Sequence, residues 1–146
     1  MIRVLVTGAT GFIGLHCIKQ LLERGYFVRG TIRSKIREPE VTQAIEKYNL
    51  DIKNLELVET DLLSDDGWLE AMQGCDYVLH VASPNYNPEK EDIVKIAVDG
   101  TKRVLWAASQ SNVKKIVMTS SLAAVTGCSD SEKKFDETDW GNINDK

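Results

Sequence analysis

Gly8, Gly11 and Gly14 stand three residues apart. They follow a short apolar, β-branched run, Ile2–Val6, and open a stretch with apolar residues at helical spacing, Phe12 to Arg24. Strand, glycine turn and helix in that order can hold a pyrophosphate. One glycine adopts turn angles that a Cβ would forbid, another lets the backbone approach the ligand, and the third lets helix and strand pack closely. The free N–H groups and the positive end of the helix dipole then face the phosphates.

The second chemical signal is basic. The apolar stretch Tyr26–Arg33 reads as a second strand and ends in Arg33, with Lys35 and Arg37 just after and no Asp or Glu before Glu38. A carboxylate at this point would accept from a ribose 2′-OH and favour NAD, whereas a guanidinium accommodates a 2′-phosphate. The residues therefore predict NADP over NAD. Solvated loop cations are the other reading of the same residues. Asp61-Leu62 follows the third strand, Leu55–Thr60, where Asp61 either meets an adenine amino group or serves as a turn or cap residue. Small residues, Ala82-Ser83-Pro84, leave the fourth strand, and Ser120-Ser121 leaves the fifth.

The elements that must position these groups alternate along the chain. The first helix stops at Arg24-Gly25. A second starts at Pro39 and runs to about Tyr48 on a stripe of Val41, Ala44, Ile45 and Tyr48. A short helix contributes Trp68, Leu69 and Met72 to the core. The fourth strand, Asp76–Ala82, is apolar enough to be buried on both faces, and its His80 reads as a hydrogen-bonded core residue. After a polar loop, a long helix over Ile93–Ser111 is expected to turn Val94, Val98, Val104, Leu105 and Ala108 to the core. Gly100 interrupts it, which calls for a close packing or ligand contact. Lys115–Thr119 is the fifth strand. Beyond Ser121 the alternation stops, and Leu122–Lys146, a small-residue turn and then the acidic, irregular stretch Phe135–Trp140, is expected to have no helix or strand of its own.

This pattern predicts an α/β fold: a Rossmann-type doubly wound parallel sheet, truncated before its second half. Residues 1–121 form the NAD(P)-binding domain, and 122–146 an acidic connecting segment toward a C-terminal catalytic and substrate-binding part that the chain lacks. The 146 residues are 42% hydrophobic and 27% charged, with a net charge of −4, which suits a globular domain and argues against nucleic acid or an anionic membrane as partner. No apolar run is long enough for a bilayer span, and no leader pattern opens the chain. Cys17, Cys75 and Cys128 are widely spaced, so they read as free thiols in a cytoplasmic compartment and give no metal site.

Together these residues resemble the extended short-chain dehydrogenase/reductase superfamily, and within it the dihydroflavonol reductase and cinnamoyl-CoA reductase group. Thr7-Gly8-Ala9-Thr10-Gly11-Phe12-Ile13-Gly14 matches its Thr-Gly-x-x-Gly-x-x-Gly pattern, Arg33 its NADP-selecting arginine, and Asp61-Leu62 its adenine pair. Val78–Pro84, Thr119-Ser120-Ser121 and Phe135–Trp140 are also similar to that group. Asp99 stands where the pattern usually has Asn. The resemblance implies cofactor contacts at Gly8, Thr10, Gly11, Phe12, Ile13, Gly14, Arg33, Arg37, Asp61, Leu62, Val81, Ala82, Ser83 and Thr119. It implies hydride transfer from NADPH to a small ketone or aldehyde, with Ser121 orienting the carbonyl and Ser120 as the second choice. The family's Tyr-x-x-x-Lys pair, a proton donor and its partner, falls beyond Lys146. Tyr86-Asn87-Pro88-Glu89-Lys90 has the spacing but carries a proline between the two, so a helical turn cannot align them. The chain alone is thus expected to be inactive. The alternatives are a nucleotide-sugar epimerase or dehydratase, disfavoured by the basic strand end and Asp136–Trp140, and a dinucleotide-binding module without catalysis. A sheet cut short is further expected to leave an open edge for self-association.

Overall fold

The structure, a computed structural model, describes residues 2–84, 93–127 and 134–141. Five parallel strands form one sheet: β1 (Arg3–Val6), β2 (Phe27–Ile32), β3 (Leu55–Glu59), β4 (Tyr77–His80) and β5 (Lys115–Met118). Their order across the sheet is β3-β2-β1-β4-β5. β1 sits at the centre, pairing Val4 with Val28 on one side and with Tyr77 on the other. The chain winds outward to β3, returns, and winds outward again to β5. The reversal between β1 and β4 is the switch point at which a doubly wound sheet opens a crevice.

Alternation along the strands feeds two cores. Leu5 and Val78 point to one face, where α3 (Trp68–Met72) and α4 (Ile93–Ser109) cover them with Trp68, Met72, Val104, Ala107 and Ala108. Val6, Val28 and Ile32 point to the other face, against Ile18 of α1 (Phe12–Glu23) and Val41 and Ile45 of α2 (Glu38–Glu46). Arg29, almost buried, ties β2 to the first core. Its Nη1 donates to the carbonyls of Ala71 at 2.9 Å and Gln73 at 2.8 Å, capping the carboxyl end of α3, while Nε donates to Glu56 at 2.9 Å.

Several expectations need correction. Val94, Val98 and Leu105 do not face the core; they are exposed on α4, and the buried side carries Gly100, Val104, Ala107 and Ala108. Small residues win that side because the helix lies close to its neighbours. Leu69 is also exposed, since Trp68, Ala71 and Met72 take the inward side of a helix only five residues long. β4 is buried at Val78 and His80 but only half-buried at Tyr77 and Leu79. The stretch after Ser121 has an element of its own, α5 (Leu122–Thr126), onto which the acidic segment folds back through the Gly141 N–H donating to the Ala124 carbonyl at 2.8 Å. Among the described residues β5 is an edge strand, with Val117 and Met118 about half exposed. The polar loop with Tyr86 and Lys90, and Cys128, lie outside the described residues. Cys17 and Cys75 are free thiols.

Candidate functional site

The carboxyl ends of β1, β2, β3 and β4 open into one cleft of about 650 Å³. The turn after β1 forms its floor. Gly8 has a φ of +73°, which a side chain would strain, and an added Cβ there would stand 3.1 Å from the Ala82 Cα. Gly14, in the first turn of α1, is buried against Gly8, and a Cβ on it would come within 2.2 Å of the Gly8 carbonyl oxygen. The loop is therefore packed against its own helix start with no room for a methyl group. Inside the loop, Gly11 N–H donates to Gly8 O at 2.9 Å and Ala9 N–H to Thr31 O at 2.9 Å. The N-cap of α1 is Gly11, with no side chain capping the helix and no acidic residue in its first turn. The N–H groups of Phe12, Ile13 and Gly14 have no partner four residues back, so the helix presents uncapped donors and the positive end of its dipole to the cleft.

A threonine locks this floor to the neighbouring strand. The Thr7 hydroxyl accepts from the Val81 N–H at 3.0 Å and the Ala82 N–H at 2.9 Å, and lies 2.9 Å from His80 Nδ1. With both lone pairs occupied, its proton goes to Nδ1, so the His80 ring is neutral and carries its hydrogen on Nε2. Burial lowers the His80 pKa in the same sense. His80 is thus the hydrogen-bonded core residue expected.

The basic end of β2 enters the same cleft. Arg33 is exposed and makes no hydrogen bond or ion pair among the described residues. Arg37 also lines the cleft, but its guanidinium is held by Glu40, with Nε and Nη2 donating at 2.9 and 2.8 Å. Those hydrogen bonds raise the Arg37 pKa and lower that of Glu40. Asp61 serves its turn, Oδ1 accepting from the Leu63 N–H at 3.0 Å, and also lines the cleft. Thr60, buried at the rim of β3, has the one buried side-chain oxygen without a hydrogen-bond partner among the described residues.

Of the residues singled out in the sequence, Gly8, Thr10, Gly11, Phe12, Ile13, Gly14, Arg33, Arg37, Asp61, Leu62, Val81, Ala82 and Ser83 line this one cleft. Thr119 and Ser121 do not. The Thr119 N–H donates to His80 O at 3.1 Å, continuing the ladder, and Ser121 is the exposed N-cap of α5, accepting from the Ala123 N–H at 3.3 Å. Sequence reasoning missed Thr31, Ile32, Thr60, Leu63, Trp68 and Ile96 as lining residues. Trp68 read only as core, yet its Nε1–H donates to the carbonyls of Asp61 and Ser64 at 3.1 Å each and so holds the turn after β3. Thr7 carried a signal in its place before the glycines, but the strand contacts it makes are not visible in one sequence.

Among the described residues no group of three or more His, Cys, Asp or Glu is arranged to hold a metal ion, and no helix is long and apolar enough to cross a membrane. The cleft fits a dinucleotide by volume and by chemistry: uncapped amides at a glycine turn, the exposed Arg33 guanidinium one strand away, and apolar walls.

Comparison with known proteins bears on the same stretch. The model of the NAD dependent epimerase/dehydratase family matches residues 4–144. Cinnamoyl-CoA reductase 1 of Petunia hybrida is 43% identical over 141 residues, which cover 95% of this chain and 41% of that protein. Dihydroflavonol 4-reductase of Solanum lycopersicum is 37% identical over 145 residues, covering 96% of this chain and 38% of its own length. Among solved structures, Gre2 of Candida albicans in complex with NADPH superposes with a TM-score of 0.79 at 35% identity, over 98% of this chain and 45% of that one. The chain spans about two fifths of the length of the curated relatives it matches.

Proposed function

The chain belongs to the NAD dependent epimerase/dehydratase family, and from that premise we propose that it is the cofactor-binding part of an NADP-dependent reductase of small ketones or aldehydes. The observation that carries the reading is the meeting of two features in one cleft: the Gly8–Gly14 turn at the uncapped start of α1, and Arg33, just after β2 and unpaired among the described residues. When bound, the nicotinamide cofactor supplies the hydride for carbonyl reduction. The amides of Phe12, Ile13 and Gly14 would hold the pyrophosphate. Arg33 would meet the 2′-phosphate, and Arg37 would join it on leaving Glu40. The adenosine end would lie along Asp61 and Leu62. The Val81–Ser83 stretch, fixed by Thr7, would support the nicotinamide end, with Thr119 beside it.

Ser121 lies beyond the cleft, after β5, and would orient the substrate carbonyl there. A Tyr-x-x-x-Lys pair on another part of the whole protein would protonate the developing alkoxide. The binding part without that pair is inactive in this reading, which keeps a non-catalytic dinucleotide module as the second possibility for the chain by itself. The reductases named among its relatives and the basic end of β2 favour the first reading over a nucleotide-sugar epimerase or dehydratase.

The test is a pair of titrations, followed by NADPH and NADH fluorescence, and an absorbance assay of NADPH consumption with aldehydes and ketones. The reading requires NADPH to bind well ahead of NADH, and no turnover by the 146-residue chain. Preference for NADH would remove the role given to Arg33. Carbonyl reduction by the chain alone, lost in Ser121→Ala, would mean that no distant Tyr-x-x-x-Lys pair is needed.

A further inference from the structure

The geometry points to Arg103 as a positioning residue for the adenosine end of the dinucleotide, acting through the Asp61–Leu63 turn rather than on the ligand. It rests on the reading of the cleft given above. Ile96, Gly100 and Arg103 share one stripe of α4 at helical spacing. Ile96 lines the cleft. Gly100 is buried beneath the turn, and an added Cβ would stand 2.9 Å from the Leu62 Cβ. Arg103 closes the contact: Nη1 donates to the Leu62 carbonyl at 2.8 Å and Nε donates to the Asp65 carboxylate.

From the opposite side Trp68 Nε1–H engages the carbonyls of Asp61 and Ser64. The carbonyls of three turn residues, 61, 62 and 64, are therefore each held by a side chain from a neighbouring helix. Among the described residues the turn has no strand partner, so these bonds, with those inside the turn itself, fix where Asp61 and Leu62 stand in the cleft. Arg103 is absent from the cleft lining and cannot meet the ligand in this arrangement. Its effect should be confined to the half of the dinucleotide that lies against the turn.

The experiment separates the two halves by calorimetry on the whole chain, with adenosine 2′,5′-bisphosphate for one end and reduced nicotinamide mononucleotide for the other. Arg103→Met keeps the aliphatic stem and removes the donors. It is expected to weaken the adenosine probe about five-fold or more, the scale of one lost hydrogen bond, and to leave the nicotinamide probe unchanged. Arg103→Lys restores one donor for the Leu62 carbonyl and should recover most of the loss. Gly100→Ala, which favours the helix while pushing on Leu62, should weaken the adenosine probe alone, and it decides the matter should Arg103→Met fail to fold. Unchanged affinity for the adenosine probe in these variants, or an equal loss of both probes, overturns the positioning role and leaves the dinucleotide reading intact. A wild-type chain that binds neither probe overturns that reading, and the role of Arg103 with it.

Discussion

Replacing Gly14 by alanine adds one methyl group at the point where helix and phosphate loop touch. The new Cβ would stand 2.2 Å from the Gly8 oxygen and 3.0 Å from the Gly8 carbon, both backbone atoms. Ordinary contact begins near 3.4 Å, so loop and helix must separate by about 1.2 Å. Alanine favours the helix over glycine by about 1 kcal/mol, and overpacking a fixed contact costs about 1–3 kcal/mol, so the net loss of stability is modest, about 0–2 kcal/mol. Binding suffers more. A shift of about 1 Å takes the amides of Phe12 and Ile13 out of hydrogen-bonding range of a phosphate, and a bond to a charged group is worth about 1.5–3 kcal/mol. That corresponds to about a 10- to 150-fold rise in the NADPH dissociation constant. Fluorescence titration gives the affinity, and urea unfolding gives the stability. Gly25→Ala is the control: Gly25 has a positive φ, +77°, but an added Cβ meets nothing within 4 Å, so it should cost stability and leave binding alone. Wild-type affinity in Gly14→Ala would refute the assignment of this turn to the phosphates.

Arg33→Ala should weaken NADPH binding about ten-fold or more, the scale of a charge-assisted contact, with little change for NADH; equal losses for both cofactors would remove the 2′-phosphate from Arg33. His80 is buried and its pKa lies below the unfolded value, so the unfolded chain binds the extra proton. Its contribution to stability is complete above about pH 6.5 and shrinks as pH falls through that value toward the folded pKa. The urea midpoint should therefore drop more steeply between pH 7.5 and 5.5 in the wild type than in His80→Gln, and parallel curves would contradict the neutral ring. Thr7→Val strands the Val81 and Ala82 amides and should cost at least about 2 kcal/mol in urea unfolding; an unchanged midpoint would show that the strand end does not depend on the hydroxyl. The open β5 edge predicts an average mass in sedimentation that rises with concentration, and a monomer throughout the range would count against self-association.

The glycine turn, the strand ends and the order of helices and strands were legible because each depends on local chemistry. Gly8 and Gly14 occupy places that a Cβ cannot, and short apolar runs between helical stripes leave few topologies open. The face of α4 was not legible. Val94, Val98 and Leu105 make one apolar stripe at about 100° per residue, while Ile96, Gly100 and Ala107 make another on the opposite side. Periodicity cannot choose between two apolar stripes. Closeness to Leu62 and the sheet chooses, and it selects the smaller side chains. The helix α5 was hidden for a related reason: Leu122–Thr126 is too short and too uniformly small to show a period, although Ser121 at its N-cap was a readable start signal. The roles of Arg29 and Arg103 lie in carbonyls distant along the chain, and those of Trp68 in the irregular turn just before it, so no periodic pattern marks them. Arg37 shows the limit of reading charge from sequence, since its partner Glu40 stands three residues on and competes for the same guanidinium.

The most direct test of the central claim is an amide chemical-shift map of the chain titrated with NADPH. Gly8–Gly14, Arg33, Asp61–Leu63 and Val81–Ser83 are expected to shift together, while Asp76 and the two residues hydrogen-bonded to it, Arg3 and Lys114, at the opposite end of the sheet, stay in place. Shifts concentrated at that opposite end, or none at saturating NADPH, would contradict it.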